Sequence, residues 1–205
     1  MTDAAAPRER ADPAESRRRS AGVLLADAVR VLAVVSVVVG TWRFGLVGAA
    51  LFALVLGGTA VPRLVGVPPL LDAAYSATLL FAAWAAQLGW YEAVGWLDLA
   101  VHAVATGLVA LVATLALARW GAVGPSSAPH WRVGVGVLVV GLGALGSVLW
   151  EVGEWYGHTQ LDPTIHVGYD DTLGDLVAGV LGSVLAAVLL ARSALVERGL
   201  RPGHG

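Results

Sequence analysis

The chain has 205 residues, of which 57% are apolar and 14% charged, and its formal net charge is −2. Soluble chains carry about 25% charged residues, so the polar surface is too small for a soluble domain of this length, and the charge balance offers nothing to nucleic acid. Cysteine is absent, which excludes disulfides and thiolate metal sites.

Residues 1–20 are rich in Arg, Ala, Pro and Glu without apolar periodicity, and are expected to form a disordered cytoplasmic arm. Arg17-Arg18-Arg19 before an apolar run resembles a secretory signal, but further spans follow and no cleavage site stands out, so the arm reads as preceding an anchor helix. Runs of about 18 or more mostly apolar residues cross a hydrocarbon core of roughly 30 Å. Such runs occupy 22–40, 44–61, 70–90, 98–118, 133–153 and 173–195. Residues 21–196 are therefore expected to be an all-α, polytopic membrane bundle of about six transmembrane helices, with 197–205 a short cytoplasmic tail. Pro62, Pro68-Pro69 and Gly124-Pro125-Ser126-Ser127 mark breaks, and the hairpin at Thr41-Trp42-Arg43 is tight.

Arginine placement sets the orientation. With the N-terminus inside, Arg63, Arg119, Arg132 and Arg192 fall on the cytoplasmic side with the basic arm, and only Arg43 falls in an outer loop. This positive-inside pattern predicts a multi-pass protein of the cell (inner or plasma) membrane with both termini cytoplasmic. Arg30, inside the first span, is placed to snorkel inward and pair with Asp27. Asp27 and Asp72, at inner helix starts, read as caps.

On that topology the acidic residues converge. Asp98 and His102 begin the fourth span, Glu151 and Glu154 end the fifth with His158 four residues later, and Asp171 and Asp175 begin the sixth. Ser147, Glu151, Glu154 and His158 share a helical face if the helix continues that far. Gln87 and Tyr91 are one turn apart and could line the same pocket or hydrogen-bond in the core. Each acid alone suits an interfacial helix end, where water and the helix dipole solvate it. Carboxylates from three helices at one level repel unless a cation or shared protons intervene. The candidate site residues are therefore His102, Glu151, Glu154, Asp171 and Asp175, and candidate ligands to a divalent metal ion are the same residues together with His158.

Trp150-Glu151-Val152-Gly153-Glu154-Trp155 and Asp171-Thr172-Leu173-Gly174-Asp175-Leu176 resemble the W-E-x-x-E-W and D-T-x-x-D-L signatures of the YjdF-type inner-membrane family, with His102 matching that family's His. The resemblance covers about the last half of the chain and implies a multi-spanning fold and a residue set, not a reaction. A more distant resemblance is to VanZ-like proteins, but their Asn position is Gly179 here.

Three functions are compatible with this pattern. The first is an enzyme acting on a lipid or lipid-linked substrate at the outer leaflet, with a divalent ion or a positioned water. The second is a proton- or cation-coupled carrier. The third is a non-catalytic scaffold or assembly factor whose polar cluster fixes helix register. No rhomboid-type G-x-S-G, no H-E-x-x-H and no Arg near the site narrows the chemistry further.

Overall fold

A chain crossing lipid must satisfy every backbone N–H and C=O within itself, and an α-helix does this inside one segment. The computed structural model describes residues 13–192, which form α1 (Pro13–Val65), α2 (Pro69–Gln87), α3 (Trp90–Ala93), α4 (Leu97–Arg119), α5 (Trp131–Gln160) and α6 (Tyr169–Arg192), with no strand among the described residues. Five segments are long and apolar enough to cross a bilayer, the first being Ser16–Val65. That first segment is two helical arms broken at Gly45, whose φ of 67° and ψ of −148° lie outside the helical region. The arms, 13–44 and 46–65, run antiparallel: Arg30 donates to the Thr59 carbonyl at 2.8 and 3.1 Å, and Arg63 reaches Asp27. With the two arms counted separately, the described residues hold six long helical segments. A Cβ at Gly45 would meet nothing within 4 Å, so backbone conformation and not space requires glycine there.

Four boundaries differ from the hydropathy reading. Helix α5 continues to Gln160 and α6 begins at Tyr169, which leaves 161–168 as the connection. Hydropathy reports contact with lipid, whereas backbone hydrogen bonding continues wherever side chains allow, so polar residues such as Glu154 and His158 remain helical. Helix α2 ends at Gln87, and Gly89, in the left-handed region at φ 67°, turns the chain into the single turn of α3. At the N-terminal end α1 already includes residues 13–20. Residues 1–12, in the expected arm, and the expected tail at 197–205 lie outside the described residues.

The helices form two packed groups joined mainly through α2 and α4. In the first, Phe52 is fully buried between the arms of α1 and α2, with its ring centroid 4.9 Å from that of Trp84, whose indole N–H donates to Ser36 at 3.0 Å. A charge network closes the end of this group remote from α3. Arg30 donates to Asp72 at 2.6 Å and to Asp27 at 3.3 Å, and Ser76 donates to Asp72 at 3.2 Å. The expected Arg30–Asp27 pair is present. Asp72, however, is not a cap: Pro68 occupies that position, and the Asp72 carboxylate turns inward to a part-buried guanidinium. Neither partner of that pair can be removed without leaving an uncompensated charge in a largely buried position.

The second group is α4, α5 and α6, which approach closely through small residues. A Cβ on Gly182 would collide with the Ala103 backbone carbonyl, and one on Gly107 would lie 2.8 Å from the Gly182 oxygen. In lipid, where apolar surface gives no drive for association, such close backbone approach supplies the packing energy. It also sets the height at which the three helices present their polar ends.

Candidate functional site

His102 lies on the second turn of α4, four residues after Asp98, so both project from one face. Helix α5 passes antiparallel and brings Glu151 to the same level, and α6 runs parallel to α4 and brings Asp175. One turn deeper on these helices lie Thr106, Ser147 and Gly179. The Thr106 and Ser147 hydroxyls are 3.4 Å apart, and a Cβ on Gly179 would strike Ser147. In this layer α4, α5 and α6 pack closely against one another just below the acids.

The imidazole of His102 is the hub. Its Nε2 is 3.4 Å from Asp98 Oδ1 and 3.9 Å from Asp175 Oδ2, and its Nδ1 is 4.0 Å from Glu151 Oε1. Asp175 is 2% exposed and Glu151 9%. Among the described residues, Glu151 Oε1 is the buried side-chain oxygen or nitrogen that no hydrogen bond reaches. The ligand atoms of Asp98, His102 and Asp175 lie within 4.8 Å of one another, as do those of His102, Glu151 and Glu154. Both sets are dense enough to hold a metal ion, and His102 belongs to each. Thr172 lies beside the Glu151 carboxylate from α6.

The structure thus brings together His102, Glu151, Glu154 and Asp175. Asp171 stands at the rim with its side chain 26% exposed and its Oδ1 3.8 Å from Nε2 of the exposed His166. His158 serves the fold: its Nδ1 is 2.7 Å from the Ile165 carbonyl, which can only accept, so the ring donates there. Asp162 is turned to its own loop, accepting from the Thr164 N–H at 2.9 Å and hydroxyl at 2.7 Å. Those two bonds hold its carboxyl below the usual carboxylate range.

Two residues that the sequence placed near the converging acids, but outside the candidate set, stand beside it in the structure. Asp98 is a full member, and its four-residue spacing from His102 was the available signal. Tyr91 of α3 lies in the connection near the cluster; its hydroxyl donates to the Ala82 carbonyl at 3.1 Å. Burial first, and then the negative charge of Asp98, Glu154 and Asp175, pushes its phenol well above the usual tyrosine range. Nothing places Gln87 in the cluster.

Beside the site, Val167, Gly168, Tyr169, Thr172, Leu173 and Leu176 line an open, mostly apolar groove of about 430 Å³. Thr172 belongs to both groove and site.

Neither a curated protein nor a solved structure matches the chain. A family model described as a predicted membrane protein, DUF2238, matches residues 21–194, and so takes in every crossing and every residue of the cluster. This is consistent with the YjdF-type resemblance of the acidic motifs, and the chain belongs to the DUF2238 family of membrane proteins.

Proposed function

We propose that the ends of α4, α5 and α6 hold a divalent cation, and that the protein is a membrane-embedded enzyme using it on a lipid or lipid-linked substrate at the extracytoplasmic face. The observation that carries this reading is Glu151 Oε1, a carboxylate oxygen buried without a donor and facing an imidazole nitrogen across 4.0 Å. Leaving a buried acceptor unmet costs about 1–3 kcal/mol, more when it is charged. Two ligand atoms each about 2.1 Å from an ion stand roughly 3.0–3.4 Å apart, and the carboxylate oxygens at 3.4 to 4.0 Å from the His102 nitrogens need shift by only a few tenths of an ångström to reach that spacing. Four carboxylates around one imidazole also leave an excess of negative charge that a divalent ion balances.

The positive-inside pattern supports an outward-facing site. Arg63, Arg119 and Arg192 fall in the last turns of helices that end remote from the acids. Exposed Trp96, Trp150 and Trp155 lie near the acids, at the level where indoles favour lipid headgroups. The rim residues Asp98 and Asp171 keep the cluster accessible from that level, and the groove at Thr172 gives an acyl chain a place beside it. A bound cation in such a site acidifies a water or polarises a carbonyl or phosphoryl oxygen.

The carrier reading is weaker. Below the acids, the Ser183 hydroxyl is spent on the Gly179 carbonyl and the Thr114 hydroxyl on the Ala110 carbonyl, and Gly143 closes directly on Ser183. Such packing favours a closed floor over a path. Elemental analysis of the detergent-purified protein tests the proposal. Near-stoichiometric metal in the wild type, lost in Glu154→Gln with helicity retained, is the expected result. Metal-free, well-folded wild type from chelator-free buffers would overturn it.

A further inference from the structure

Resting on the cation reading above, we infer that His102 separates two unlike carboxylate pairs: the ion is taken on the Nδ1 side with Glu151 and Glu154, while Asp98 and Asp175 hold the opposite ring nitrogen as positioning residues. An imidazole offers one lone pair to a metal, and the other nitrogen then carries the proton and needs an acceptor. The two sides of this ring are not equivalent. Nε2 has the nearest carboxylate, Asp98 at 3.4 Å, on its own helix four residues away, and a second, Asp175, at 3.9 Å. Either is placed to accept an Nε2–H, and together they fix the ring orientation and the tautomer. On the Nδ1 side the carboxylate is Glu151 at 4.0 Å, and that is where the oxygen without any donor lies. Glu154, one turn further along α5, closes the same set within 4.8 Å.

The assignment carries a chemical consequence. One imidazole nitrogen with two carboxylates, without a thiolate, is a borderline donor set. It suits first-row transition ions such as zinc, manganese, iron or cobalt better than calcium, which takes six to eight oxygens. Three protein ligands leave coordination positions for water or substrate, as a catalytic site requires.

The test is titration of chelator-stripped, detergent-purified protein with Co²⁺, read by its visible absorption bands and by affinity. Wild type is expected to take one Co²⁺ per chain, and Glu151→Gln or Glu154→Gln to weaken binding by more than about 100-fold. Asp98→Ala is expected to lose about 10–100-fold in affinity with the bands unmoved, the size found for carboxylates that orient a ligating histidine. Asp98→Asn should lose less, because its amide oxygen still accepts from Nε2–H. Asp98 is part-exposed, so its variants remain informative if the buried Asp175→Asn fails to fold. If Asp98→Asn abolishes binding or shifts the bands while Glu151→Gln retains them, the ion sits on the Nε2 side, and the assignment fails while the cation site stands. If folded wild type binds none of Co²⁺, Zn²⁺ or Mn²⁺, the cation reading itself fails.

Discussion

Glu151 on α5 and His102 on α4 face each other across 4.0 Å, and no donor reaches the Glu151 oxygen in that gap. A helix bundle held only by its own contacts would gain by filling or neutralising this position. Glu151→Gln should therefore be no less stable than wild type in the presence of a chelator. Wild type alone should then gain thermal stability on adding the metal, by about 2.7 kcal/mol at a concentration 100 times the dissociation constant. Thermal melts of both proteins with and without metal check this. A metal-independent loss of stability in Glu151→Gln would make the carboxylate a structural element instead.

The charge network at the other end makes the opposite prediction. Asp72 is buried and receives both Arg30 and Ser76, so removing its carboxylate strands a part-buried guanidinium. Asp72→Ala should cost about 3–5 kcal/mol, as breaking one side of a buried pair does. Asp27 is half-exposed, and although it receives both Arg30 and Arg63, Asp27→Ala should cost no more than about 1 kcal/mol. Chemical unfolding in detergent measures both, and equal losses would show that the network shares its load evenly.

Gly182 is the point where α6 touches the backbone of α4 at Ala103. A methyl group there has no flexible side chain to displace, only a carbonyl, so the helices must part. Gly182→Ala should destabilise by about 1–3 kcal/mol. It should also weaken metal binding without touching any ligand, because Asp175 is two turns away on the same helix. Unchanged affinity with lowered stability would mean that the site tolerates a shift of α6.

The crossings and the convergence of the acids were legible because lipid imposes long apolar runs and because helical spacing carries Asp98–His102 and Asp171–Asp175 onto single faces. Which acids meet was less legible. Asp171 and Asp175 share a face four residues apart, yet one is at the rim and the other, one turn deeper, is buried, a difference visible only once the helices are docked. His158 lies on the expected face too, but the turn at 161–168 supplies a carbonyl that captures its ring. Asp72 looked like a cap because local sequence gives no view of Arg30, 42 residues earlier.

That turn should respond to pH in a defined direction. The Thr164 bonds depress the Asp162 carboxyl, so their contribution is present at neutral pH and is lost as pH falls through its lowered value. Proteolytic nicking or amide exchange within 161–168 should rise only in acid, below the ordinary carboxylate range. Asp162→Ala should show the same opening at neutral pH. A turn equally protected in Asp162→Ala would leave the His158–Ile165 bond as its main support.

The hairpin of α1 rests on a single backbone conformation. At Gly45 the combination of positive φ with ψ near −150° is essentially restricted to glycine, and holding another residue there costs about 1–3 kcal/mol. Gly45→Ala should destabilise by that amount although the added methyl meets no atom within 4 Å. Gly57 provides the contrast, since it is equally open but lies within the helical second arm. Gly57→Ala should be neutral or stabilising by up to about 1 kcal/mol, because alanine loses less backbone entropy in a helix. Thermal melts of the two variants side by side separate conformation from crowding. Equal and small effects would mean that the break at Gly45 is held by the packing of Phe44 and Phe52 on Trp84 and does not depend on glycine.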